Sequence, residues 1–148
     1  MENELSRLEI LIGKEKLNKI KNSHVAVIGV GGVGGYVVES LVRSGIGQIT
    51  IVDNDTINIS NLNRQIIALH SNIGEKKVDV LEKRILDINP NCKVNKYDLF
   101  LDENTINKIL SDNSERYRYV SQHAGMKDYV RPLSQLIDDI AKEQGKKI

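Results

Sequence analysis

The stretch "HVAVIGVGGVGGYVVESLVRSGIGQITIVDND", His24 to Asp55, restricts the fold more than any other part of the chain. "HVAVIGV" is an unbroken apolar run bounded by turn signals, the pattern of a strand buried on both faces of a parallel sheet. Glycines follow at once. "GYVVESLVRSG" then predicts a helix with Val37, Val38, Leu41 and Val42 inward and Gly45 as its stop. "QITIVDND" predicts a second buried strand. Strand, glycine turn, helix and strand in this order make a βαβ unit, whose crossover is right-handed in nearly all proteins. The fold class is therefore α/β: a Rossmann-like, mostly parallel sheet flanked by helices.

The rest of the chain extends this unit. "LSRLEILIGKEKLNKIKNS" sets Leu5, Leu8, Leu11 and Ile12, then Leu17 and Ile20, at helical spacing, so one or two amphipathic helices precede the first strand. "GEKKVDVLEKRILDINP" predicts a helix with Val78, Leu81, Ile85 and Ile88 on one face and Pro90 just beyond. "CKVNKYDL" alternates as a third strand, "DENTINKIL" as a short helix, and "YRYV" as a further strand. "PLSQLIDDIAKEQGKKI" closes as a helix with Pro132 at its start and Leu133, Leu136, Ile137 and Ile140 inward. One domain over residues 1–148 is expected, with composition changing after about residue 110.

With 4% aromatic residues and no Trp, the core must be aliphatic. A net charge of +1 gives no overall pull toward nucleic acid or anionic lipid. One cysteine, Cys92, rules out an internal disulfide and a Cys-x-x-Cys zinc clamp, in keeping with a reducing compartment. No apolar window approaches the roughly 18 residues of a membrane span, and the start has no basic segment leading into an apolar one. A cytoplasmic chain without membrane partners is therefore expected.

"GVGGVG", Gly29 to Gly34, fits G-x-G-x-x-G in the setting that gives the pattern meaning, between a strand and a helix. Gly29 permits the tight turn, Gly31 lets backbone approach a phosphate, and Gly34 lets helix and strand pack closely. Asp53, nineteen residues after Gly34, stands where a carboxylate accepts ribose hydroxyl protons. Together they indicate an adenine nucleotide. NAD and ATP both fit at this level, so an NAD-linked oxidoreductase domain and a non-catalytic nucleotide-binding module stay open. A pyrophosphate is largely satisfied by a helix N-terminus, whereas a triphosphate under attack needs cations on its outer phosphates. Arg64, with its bidentate fork, and Lys77 are the candidates. Lys77 stands in the first turn of its helix, where a cation opposes the dipole unless an anion lies nearby. Asn61, Asn63 and Gln65 also read as loop-forming amides.

From "RLEILIGKEKLNKIKNSHVAVIGV" through "IVDNDTINISNLNRQI" to "LDINPNCKV", about residues 7 to 95, the sequence resembles the ThiF/MoeB/HesA superfamily of ATP-dependent adenylating enzymes, relatives of the ubiquitin-activating enzymes. Within it, "RSGIGQITIVDNDTINISNLNRQI" is most similar to the branch of tRNA threonylcarbamoyladenosine dehydratases. The resemblance implies nucleotide contacts from Gly32 and the neighbouring glycines Gly29, Gly31 and Gly34, and ribose recognition by Asp53. It also implies phosphate contacts from Asn61, Arg64 and Lys77, with Arg64 and Lys77 serving catalysis and Asp55 and Gln65 in support. Arg7 matches an arginine that in the superfamily reaches a nucleotide, sometimes across a dimer interface. The implied chemistry is attack of a carboxylate on the α-phosphate of ATP with Mg²⁺ present, the carboxylate belonging to threonylcarbamoyladenosine in tRNA, in a homodimeric enzyme.

The pattern breaks after "YRYV". Superfamily members continue there with an acidic segment whose Asp holds Mg²⁺, whereas this sequence reads "SQHAGMKDYV", with Asp128 the nearest carboxylate. No metal ligand is assigned, and His24, His70 and His123 lack the partners that catalysis or metal binding would need. The resemblance also implies acceptor-binding surface beyond the residues present in this sequence.

Overall fold

The computed structural model describes residues 3–101, 105, 109, 118–121 and 131–132. The expected βαβ unit forms from β1 (His24–Ile28), α3 (Gly34–Arg43) and β2 (Gln48–Val52), with α1 (Ser6–Ile12) and α2 (Lys14–Lys21) ahead of it. It is followed by α4 (Lys77–Ile88), β3 (Lys93–Tyr97), β4 (Arg118–Ser121) and β5 (Arg131–Pro132). The five strands lie in the order β3-β2-β1-β4-β5. β1 pairs in parallel with both β2 and β4, and β2 with β3, while β5 runs antiparallel to β4. The strand order thus turns back on itself beside β1. In open α/β sheets the crevice at such a reversal, beyond the carboxyl ends of the strands, is where ligands bind.

Alternation along the strands explains the core. Val27, Ile49 and Ile51 point to one face and pack against Val38 and Val42 of α3 and Val78, Leu81 and Ile85 of α4, all buried. Ala26, Thr50 and Val52 point to the other face and are buried as well. The aliphatic composition is therefore spent on a sheet sealed from both sides. Between α3 and α4, Arg84 donates Nε and Nη2 to the two carboxylate oxygens of Glu39 at 2.6 and 3.0 Å, fixing the helices against each other.

Two expectations need correction. Leu11, counted on the apolar face of the opening helices, is 80% exposed beside Ile10 at 87%, and α1 buries no residue. Leu17 of α2 and Leu5, which packs against Gly45, carry the anchoring instead. Pro132 does not open a helix but pairs with Arg118 in β5. Thr105 and Ile109 have helical geometry, within the short helix expected there. The closing helix after Pro132, Asp128 and His123 lie outside the described residues.

Candidate functional site

The site grows from the end of β1. Gly29 has φ +79° and its N–H donates to the Val52 carbonyl at 2.8 Å, so the chain turns sharply while staying tied to β2. Gly34 then comes back so close that a Cβ on it would stand 1.8 Å from the Gly29 carbonyl oxygen. This contact admits no side chain, and it starts α3 over the end of β1. The N-terminus of α3 consequently stands beside the end of β1, with the Gly35 N–H already donating to the Gly31 carbonyl at 3.0 Å.

Asp53, the first residue after β2, closes the turn from the other side. Its Oδ2 accepts the Val30 N–H at 2.8 Å and its Oδ1 accepts the Asp55 N–H at 2.9 Å. The sequence suggested only a ribose acceptor here and gave no sign of these two backbone bonds. Each oxygen retains a second lone pair, so holding the turn and accepting a ribose hydroxyl are compatible.

From Asp55 the chain leaves the sheet, and Thr56 bridges Lys76, Ile57 N–H donates to Glu75, and Lys77 N–H donates to the Asp55 carbonyl. These bonds close residues 58–73 into a lobe at the carboxyl end of the sheet. Within it Asn61 is buried and its Oδ1 accepts the Asn58 N–H at 2.9 Å, capping a single 3-10 turn. That bears out loop formation by Asn61, while its side-chain N–H groups have no partner among the described residues. Gln65 is buried too, and its Oε1 has no hydrogen-bond partner among them.

Of the two candidate cations, Lys77 brings its charge to this frame, while Arg64 approaches the glycine turn with its stem alone. Lys77 is the first residue of α4 and only 4% exposed. Its Nζ lies 2.6 Å from Asp55 Oδ2 and 3.8 Å from Asp53 Oδ1, the carboxylate that holds Val30. The anion demanded by a cation at a helix N-terminus is thus present, and it is supplied by the protein itself. Arg64 reaches the glycine turn with its aliphatic stem, whose Cγ would lie 3.6 Å from a Cβ on Gly32. Its guanidinium is exposed and rests on its own turn, donating to the Ser60 carbonyl at 3.0 Å and Asn63 Oδ1 at 2.9 Å. Gly29, Gly31, Gly32, Gly34, Asp53, Asp55, Arg64 and Lys77 therefore share one end of the sheet. Arg7 is exposed on α1, and no hydrogen bond or ion pair joins it to them among the described residues.

A family model described as "ThiF family" matches residues 5–147, past the segment that carried the resemblance. The tRNA threonylcarbamoyladenosine dehydratase of Bacillus subtilis (strain 168) is 51% identical over 105 residues, 71% of this chain and 41% of that protein. The enzyme of the same name from Escherichia coli (strain K12) is 39% identical over 127 residues, 86% of this chain and 45% of that protein. The chain thus spans less than half the length of these two relatives. Among solved structures, the E. coli tRNA N6-threonylcarbamoyladenosine dehydratase TcdA in complex with ATP is similar at a TM-score of 0.77 and 32% identity, covering 97% of this chain and 56% of that one. Its complex with AMP is similar at 0.74 and 33%, covering 93% and 53%. Among the described residues no helix is long and apolar enough to cross a membrane.

Proposed function

We propose, from the premise that the chain belongs to the ThiF family, that it forms the nucleotide-binding part of an ATP-dependent adenylating enzyme of the tRNA threonylcarbamoyladenosine dehydratase type. The observation that carries the reading is the meeting of the glycine turn, the buried Lys77 and the arginine at 64 at the carboxyl ends of β1 and β2. The names of the relatives and the ATP and AMP complexes of similar structures support it.

In this reading Asp53 receives the ribose, and the glycine turn with the first N–H groups of α3 receives the α-phosphate. Arg64 swings from its own turn to the outer phosphates, and Lys77 neutralises charge beside them. A carboxylate oxygen of the acceptor attacks the α-phosphorus; the bond to the oxygen bridging toward the β-phosphate breaks, and pyrophosphate leaves. For a threonylcarbamoyl carboxylate on tRNA, ring closure then expels AMP, which carries off the carboxylate oxygen. The net change on the nucleoside is loss of water.

Mg²⁺ accompanies the triphosphate in the implied chemistry, and the carboxylates described at this end of the sheet, Asp53 and Asp55, already hold protein donors. Among the described residues no group of three or more His, Cys, Asp or Glu stands together to hold a metal ion. Asp53 is engaged by two backbone N–H groups and Asp55 by Lys77. No step is routed through a metal. The reading extends to a cytoplasmic homodimer in which Arg7 reaches a neighbouring protomer's nucleotide.

Isothermal titration of the full chain with ATP and with NAD tests the nucleotide assignment. Binding of ATP is expected, and NAD affinity without an ATP response would instead support the oxidoreductase alternative. Pyrophosphate release with threonylcarbamoylated tRNA tests the chemistry; ATP binding without turnover would reduce the chain to a nucleotide-binding module.

A further inference from the structure

The ion pair between Lys77 and Asp55 joins unequal partners. The lysine side chain is 6% exposed and the aspartate side chain 61% exposed, yet their charged atoms lie 2.6 Å apart. Asp55 is held at this spot by its backbone at both ends: its N–H donates to Asp53 Oδ1 and its carbonyl accepts the Lys77 N–H. Among the described residues, only the ammonium ties its carboxylate down. The backbone is therefore fixed and the carboxylate is free to rotate outward about its side-chain bonds, while the ammonium stays enclosed.

The charges sharpen the point. Asp53 and Asp55 against Lys77 leave this cluster with one net negative charge, which opposes the approach of a phosphate. The ammonium nevertheless has three N–H donors, and the hydrogen bond to Asp55 uses one of them. An incoming polyphosphate competes for the same cation as Asp55 and gains most when that carboxylate swings into solvent, where its exposure already leads.

We propose that Asp55 is a built-in counter-ion that occupies Lys77 in the free protein and must be displaced by the polyphosphate tail of a nucleotide. It keeps the buried ammonium neutralised between turnovers and lowers the affinity for nucleotide, so that only a ligand bringing several phosphate charges to Lys77 displaces it. Asp55 is thus a positioning residue for Lys77. The proposal rests on the assignment of this site to ATP and adds to it a residue whose removal strengthens binding.

The test uses the full chain and two variants, Asp55→Asn and Asp55→Ser, which keep the backbone bonds and remove the charge. ATP affinity is measured by isothermal titration, and the melting temperature without ligand by calorimetry. Both variants are expected to bind ATP about tenfold more tightly than the wild type while melting at the same or a lower temperature. A residue with only a structural role would lower stability and affinity together. Unchanged or weaker ATP binding in the folded variants overturns the proposal while leaving the ATP site standing. A wild-type chain that shows no ATP binding removes the site assignment itself, and the proposal falls with it.

Discussion

Replacing Gly34 with alanine attacks the contact on which the glycine turn depends. The new Cβ would stand 1.8 Å from the Gly29 carbonyl oxygen and 2.9 Å from its carbonyl carbon, whereas real Cβ atoms essentially never approach closer than 3.0 Å. Both obstacles are backbone, so α3 must withdraw from the end of β1 by about 1 Å. Overpacking of this kind costs about 1–3 kcal/mol or more, against which alanine returns at most about 1 kcal/mol of helix propensity. A net loss of up to about 3 kcal/mol lowers the melting temperature of a chain of this length by up to roughly 12 °C. Gly32→Ala is the matched comparison, because its Cβ would meet nothing nearer than the Arg64 Cγ at 3.6 Å, an ordinary contact. Urea denaturation of both variants, monitored by circular dichroism, reads the difference directly. Equal stability of the two, or a Gly34→Ala chain as stable as wild type, would refute the close-packing account of the turn.

Three further outcomes follow from side chains outside the site. The Arg84 guanidinium holds the Glu39 carboxyl below its ordinary range, with Arg43 adding to this. A depressed carboxyl stabilises the fold above its unfolded pKa and loses that contribution as pH falls through the folded one, so Glu39→Gln should cost about 1 kcal/mol near neutrality. That cost should vanish in acid, and a pH-independent difference in melting temperature would contradict the pairing. Burial, helped by the charge of Lys93, lowers His24 from 6.5 to about 4, and its Nε2 lies 2.8 Å from Thr50 Oγ1. The neutral ring therefore contributes stability above pH 6.5 that is lost as pH falls toward about 4. His24→Asn should show a flatter melting profile across that window; parallel profiles would contradict it. Burial likewise pushes the Cys92 thiol up to about 11, so a thiol-specific chromogenic reagent at pH 8 should label the folded chain at least about tenfold more slowly than the urea-unfolded one, and equal rates would place the sulfur at the surface.

The parts of the fold that periodicity governs were legible in advance. β1, α3, β2 and α4 are set by runs of Val, Ile and Leu at periods that a sheet face or helix stripe must bury, and Val38, Val42, Val78, Leu81 and Ile85 are buried as those periods require. α1 was misread because spacing cannot say whether a face finds a partner, and Leu11 finds none among the described residues. β5 escaped because a two-residue antiparallel pairing has no period, and a proline ahead of an apolar repeat resembles a helix start. In the site, the dipole conflict at Lys77 pointed to an anion and was read toward a phosphate, whereas the anion in contact with it is Asp55. That the anion is Asp55 depends on the backbone bonds between residues 55–57 and 74–77, which join positions about twenty apart and leave no mark in either segment. The bond from Val30 to Asp53 is hidden for the same reason: any residue but proline would supply that N–H.

The central claim is that a nucleotide's outer phosphates are met at this end of the sheet by the arginine whose stem lies along Gly32. Isothermal titration of Arg64→Ala with ATP and with AMP measures it most directly. The account predicts a loss of ATP affinity of about tenfold or more with AMP affinity nearly unchanged; an equal loss for both nucleotides, or none for either, would contradict it.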